Sequence, residues 1–161
     1  MKNFLVLIIV LINCVFITLS QGNKPSEEKI HVHDKTIRIV YTAPYLNSRN
    51  IKELLQNPRA NPWRMGADRP TTLETPISLM FSDNKLPAGN YTLQAYRDDG
   101  NNWWLQALND FNDVVSQISL ELKIVDVSMD YMVISMKLKG SSVSLNIHWG
   151  NHVLNGGFSI E

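Results

Sequence analysis

From residue 118 onward, apolar side chains return at every second position. Ile118, Leu120, Leu122 and Ile124 alternate with Ser119, Glu121 and Lys123. Met132, Ile134, Met136 and Leu138 alternate with Val133, Ser135 and Lys137, and Val143, Leu145, Ile147 and Trp149 with Ser144, Asn146 and His148. A helix would need apolar residues at spacings of three and four, so these runs predict strands. Each strand offers one face to bury and one to wet. That pattern favours a mainly β fold, an antiparallel β-sandwich or a partly open barrel, over a parallel α/β sheet.

The turn residues delimit the strands. Lys139-Gly140-Ser141-Ser142 turns the chain, Gly150-Asn151 bends it, and Val153–Ile160 is a last strand broken by Gly156-Gly157. Upstream, Lys29–His33 and Thr36–Tyr41 alternate around a turn at Asp34-Lys35 and predict a first hairpin. Pro44 ends it, because proline cannot donate to a ladder. Asn50–Gln56 reads as one short helix capped by Asn50. Pro70, Pro76, Pro87, Gly89 and Gly100 then separate strands at Thr71–Thr75, Ile77–Phe81, Asn90–Tyr96 and Trp103–Leu108. Asp98-Asp99-Gly100-Asn101 is a hairpin tip.

The N-terminus has a different character. Lys2 precedes an apolar run from Phe4 to Ile12, Asn13-Cys14 interrupts it, and Thr18-Leu19-Ser20 ends it with small residues. This order predicts a signal peptide over residues 1–20, cut before Gln21. The run is short for a membrane span. A lipid-modified Cys14 is a weaker alternative, since Asn13 is bulky for such a site. Polar residues 21–28 read as a flexible leader, and 29–161 as a single domain of a size that can bury its own core. Cys14 is the only cysteine, so the mature chain has no disulfide and no cysteine-based zinc site. Lysine plus arginine and aspartate plus glutamate number 15 each, with no basic block, which argues against nucleic-acid binding. No second apolar stretch is long enough to cross a bilayer after cleavage.

Three constellations are candidates for chemistry. The first is Trp63-Arg64 with Asp68, set in a stretch rich in bends. An arginine fork beside an aromatic ring suits a carboxylate or a sugar hydroxyl, while an Arg64–Asp68 or Arg64–backbone clamp would simply pin the loop with Trp63 in the core. The second is Trp103-Trp104. Neighbours on a strand face opposite sides, so one is core and the other is available for stacking or covered by a loop. The third is histidine: His31 and His33 two apart on a strand, and His148 and His152 near the end, with Asp34 close by. If the two pairs met, they would offer imidazoles to one metal ion; otherwise they are polar-face residues of two unrelated strands. No nucleophile elbow, His-Glu-x-x-His helix or mature cysteine is present. Glu27-Glu28 and Asp98-Asp99 sit where carboxylates are simply solvated.

At Tyr41-Thr42-Ala43-Pro44, Trp63-Arg64-x-Gly66-Ala67-Asp68-x-x-Thr71-Thr72 and Leu86-Pro87-Ala88-Gly89-x-Tyr91, the chain resembles the bacterial secreted "domain of unknown function 2911" family. The motif-bearing likeness covers roughly residues 29–108. The chain departs from the family pattern at Asn61-Pro62 before Trp63, at Met65, at Asp68 and Arg69-Pro70, and at Trp149-Gly150, where Trp-Glu is common. The resemblance implies an extracytoplasmic β-rich domain and no established activity.

The expected function is therefore an exported domain, periplasmic or extracellular, that is not an enzyme and needs no cofactor. It binds a small ligand, a glycan or an envelope protein through Trp63, Arg64, Asp68 and the exposed member of Trp103 and Trp104. The alternative is a metal-binding protein or metal-dependent hydrolase using His31, His33, His148 and His152 with a divalent ion.

Overall fold

The computed structural model describes residues 22–161, so the expected signal peptide lies outside the described residues. The chain is mainly β, as the alternation requires. Nine strands form one antiparallel sheet in the order β1-β2-β3-β6-β7-β8-β9-β4-β5, and the sheet is not closed. The strands are β1 (Lys24–Val32), β2 (Lys35–Ala43), β3 (Thr71–Thr75), β4 (Leu79–Phe81), β5 (Asn84–Leu86), β6 (Gly89–Arg97), β7 (Trp103–Leu108), β8 (Val114–Lys139) and β9 (Ser142–Ile160). The short helix α1 spans Ile51–Gln56. Asn50 caps it, its side chain accepting from the backbone N–H groups of Lys52 and Glu53.

β8 turns the sheet over on itself. Its first part pairs with β7 as far as Leu120, and from Glu121 it pairs with β9. The two layers so formed enclose a core that includes Ile37, Ile39, Leu73, Leu93, Leu105, Ile118, Leu145 and Phe158. The outer edge of the last part of β8 would face the interior unpaired. Instead the N–H of Met132 donates to Pro44 O (3.2 Å), that of Ile134 to Tyr41 Oη (3.1 Å) and that of Met136 to Glu28 Oε1 (2.8 Å). Leu46 N–H donates to Asp130 O at 2.7 Å, so this seam joins β8 to β1, β2 and the segment after β2. Buried backbone donors have to be paired, and here side chains finish what a ladder would do.

Several expectations change in detail. Residues 24–28 are not a flexible leader: they belong to β1, paired with Ile39–Ala43 of β2. Their polar composition is that of an edge strand, exposed at Lys24, Pro25 and Glu27 and half-buried at Ser26 and Glu28; only Ile30 and Val32 of β1 are buried. The hairpin turns at His33-Asp34 rather than Asp34-Lys35, with His33 at φ +55°. The C-terminal runs merge into two long strands, so Gly156-Gly157 does not break β9. Gly157 sits in the strand because a Cβ there would lie 2.8 Å from the backbone oxygen of Val143. On both sides of Val125–Tyr131 the apolar positions of β8 are even; within it they are odd, at Val125, Val127, Met129 and Tyr131. Residues 126–130 of that stretch face solvent, Val127 among them, with register shifts on either side of Met129.

Gly150 changes the phase of β9. It adopts φ +57° opposite Met129, at one of those shifts. Before it, Val143, Leu145, Ile147 and Trp149 are buried; after it, His152 and Leu154 are. The extra residue moves the inward face from odd to even positions, as a bulge does. A Cβ at Gly150 would also lie 3.0 Å from Ile51, so the missing side chain is where α1 docks.

Tyr41→Phe leaves the Ile134 donor unpaired and should cost about 1–3 kcal/mol of unfolding free energy. Urea denaturation checks this, and a loss below about 0.5 kcal/mol would show that the seam is not held by that hydroxyl. Gly150→Ala combines left-handed strain with the contact to Ile51 and should cost about 1–3 kcal/mol by the same assay.

Candidate functional site

The Trp63 segment fills a gap in the sheet. β3 pairs with β6 only as far as Leu93. Beyond it, Trp63 exchanges two 2.7 Å backbone hydrogen bonds with Ala95. The Asn61 amide accepts from Arg97 N–H and donates to Arg97 O (2.9 and 2.7 Å). The Trp63 ring stacks on Trp149, centroids 5.9 Å apart and planes at 13°, and the Arg49 guanidinium lies 5.7 Å from the Trp149 ring. The chain then bends at Met65 (φ +51°) and Asp68 (φ +59°), and Thr71 Oγ1 donates to Met65 O at 2.7 Å. Trp63 is thus a core anchor.

Arg64 is exposed and donates from Nε to Gly66 O at 3.2 Å, the backbone form of the expected clamp. It does not pair with Asp68, whose carboxylate accepts instead from Asn23 Nδ2 at 3.3 Å. The bends at Met65 and Asp68 separate the two side chains. On the far side of this loop lies a groove of about 640 Å³. Asn23, Thr42, Asp68, Arg69 and Thr72 are among the residues that line it. Of the five residues expected to bind ligand, only Asp68 faces this groove.

Trp103 and Trp104 take opposite sides as expected. Trp103 is 6% exposed, and the Arg97 guanidinium lies 5.9 Å from its ring centroid. Trp104 is half-buried and donates from Nε1 to Asp98 Oδ2 at 3.2 Å. The same carboxylate accepts from Asn102 backbone and side chain, and these bonds hold it below the usual carboxylate range. Arg97 faces Trp103 across the hairpin. The pleat therefore sends the cation to the inner face and the carboxylate to the outer one.

The histidines do not assemble as a set. His31 is exposed beside Thr36, and His33 leaves the strand for the turn, so the two no longer share a strand face. His148 Nε2 contacts Val127 O at 3.2 Å. His152 lies past the Gly150 bulge and is buried, 8% exposed. Among the described residues, no three His, Cys, Asp or Glu side chains are placed to share a metal ion.

What His152 does join is the open end of the interior. There Arg97 at the end of β6, Trp103 at the start of β7, Leu122 within β8 and His152 within β9 line a hollow together with Lys52 and Leu55 of α1. The hollow is about 190 Å³. Arg97 is held over Trp103 by donating to Gln56 O (3.2 Å) and Asn101 Oδ1 (3.4 Å). His152 Nδ1 lies 2.8 Å from Asn151 Oδ1, which fits a proton on Nδ1 and a lone pair on Nε2. Burial, then the positive charge of Lys52, pushes the His152 pKa down.

Sequence reasoning singled out Trp103 and His152 separately and missed Arg97 and Lys52. Hairpin pairing about the Asp98–Asn101 tip is a signal that sets Arg97 against Trp103. Nothing local marks Lys52, which arrives only because α1 docks on Gly150.

The His152 shift has a sign. The unfolded chain takes up a proton near pH 6.5, the ordinary imidazole value, and the folded one resists it. Folding stability should therefore fall as pH drops through about 6.5 and level off below the folded pKa. Unfolding curves at several pH values test this, and His152→Gln should flatten that part of the profile.

Neither a characterised protein nor a solved structure matches the chain. The family model described as protein of unknown function (DUF2911) matches residues 24–156, from the first residue of β1 to within β9. The match spans both concavities and the seam between the layers, and the chain belongs to the DUF2911 family.

Proposed function

We propose that the chain is an exported, non-catalytic binding domain whose groove beside the Trp63–Thr72 loop takes a small hydroxylated ligand or the end of a glycan. The observation that carries this reading is the lining of that groove. Ser26, Thr42, Thr72 and Thr92 supply hydroxyls, Asp68 and Arg69 supply one charge of each sign, and Val40, Pro25 and Pro70 supply apolar surface. A few polar groups over an apolar floor, in a hollow of this size, suit a drug-sized ligand. Neutral polyols satisfy donors and acceptors of both kinds without bringing a net charge.

The loop is braced from behind, which keeps the groove preformed. Trp63 is fixed on β6 and stacked on Trp149, Ala67 N–H donates to Thr42 O at 2.9 Å, and Met65 is fully buried. Export is supported by the charge, apolar run and small residues at the N-terminus. Absence of catalysis is supported by the sequence, which carries no nucleophile elbow, no His-Glu-x-x-His helix and no cysteine after Cys14.

The test is a panel of neutral mono- and disaccharides followed by amide NMR. Binding should move the signals of Thr42, Asp68, Arg69 and Thr72 together, and Asp68→Ala should weaken it roughly tenfold with unfolding unchanged. Shifts scattered elsewhere, or none with any sugar, would remove the glycan reading. Mass spectrometry of the protein from its own host should give a mature N-terminus at Gln21.

A further inference from the structure

The end of the interior under α1 has a chemistry that the groove does not share. Three basic side chains, Lys52, Arg97 and His152, line one small hollow, and no carboxylate does. Among the described residues, neither Lys52 nor Arg97 has an ion-pair partner, whereas Arg38 on the outer face has both Glu27 and Glu74. The nearest sequence candidate, Asp98, is turned to the other side of the hairpin and occupied by Asn102 and Trp104. The positive charge is thus gathered by the fold and left without an ion-pair partner in a concave hollow between the sheet and α1, the kind of place where small ligands bind.

We propose that this hollow binds a small organic oxyanion, a carboxylate or a phosphate monoester, with a short apolar portion. Arg97 is the principal partner. Its guanidinium is planar, lies over Trp103 and is steadied by Gln56 and Asn101, so its fork is oriented before a ligand arrives. Lys52 adds a mobile second charge from α1. His152 Nε2 offers a lone pair to a protonated oxygen of the anion, or takes a proton as the anion binds. Leu55 and Leu122 form the apolar side, and Leu122, 41% exposed, is the lip that a ligand's carbon chain would cover. At about 190 Å³ the hollow has room for a compact anion and not for a nucleotide.

The test uses the full mature chain with two probes, inorganic phosphate and butyrate, observed through the His152 ring protons and the Trp103 indole N–H. Saturable shifts of both signals are expected with at least one probe, together with a rise in the His152 pKa and weakening as salt is added. Butyrate alone would assign a carboxylate ligand, phosphate alone a phosphate, and both the oxyanion class. Arg97→Gln should weaken binding tenfold or more by order of magnitude. Because Arg97 also holds the end of α1, Lys52→Gln is the companion: it leaves the packing intact and should weaken binding about fivefold. Failure of both probes to move His152, or shifts unaffected by both substitutions, would overturn the proposal. Neutral sugars moving the Thr42 and Thr72 signals, or failing to, would leave this outcome unchanged.

Discussion

Three backbone N–H groups on the last part of β8 decide the shape of this molecule. Met132, Ile134 and Met136 all present donors on the edge that β9 does not cover. Left bare inside, each would carry the full cost of a buried unpaired donor. They are met by one backbone oxygen and two side chains, from Pro44, Tyr41 and Glu28. These partners lie about a hundred residues away in sequence, and they hold β1 and β2 against β8. The interior, the hollow under α1 and the groove behind the Trp63 loop all depend on that approach.

The alternation from Ile118 to Trp149 was enough to read strands, an antiparallel arrangement and a buried face. Asn50 was enough to read the start of α1, because an amide that can cap two orphan donors is a local signal. Pairing at a distance was not legible. Residues 24–28 look like a leader because an edge strand is permitted to be polar on both faces. The stretch Val125–Tyr131 parts two alternating runs because Val127 and Met129 sit on the wet side. Both features depend on which strand lies next door, and short-range periodicity carries no information on that.

The candidate sites show the same division. The opposition of Trp103 and Trp104 follows from the pleat and was readable. The histidine arrangement was not, because one glycine at positive φ changes the face of everything after it. His148 and His152, four apart, would share a face on an unbroken strand. Gly150 places His152 inward, beside Lys52 and Arg97, and leaves His148 outside. The Trp63-Arg64 pair is divided too: the ring is committed to the core beside Trp149, while Arg64 folds back on Gly66. The groove is lined instead by their downstream neighbours.

The seam along β8 has a geometric consequence. In a barrel sealed by hydrogen-bonded strands all the way round, girth is fixed by strand number and shear, and it changes only in steps. Here the sheet is not closed, and its layers meet through two backbone hydrogen bonds, Met132 to Pro44 and Leu46 to Asp130, with the Tyr41 hydroxyl and the Glu28 carboxylate beside them. Part of this join rests on side chains rather than on a ladder register, so the spacing of the two layers there is not tied to strand number and shear. The ladders that pair β1 with β2 and β8 with β9 do not run through Tyr41 Oη or Glu28 Oε1, so the join and the registers are set by separate residues.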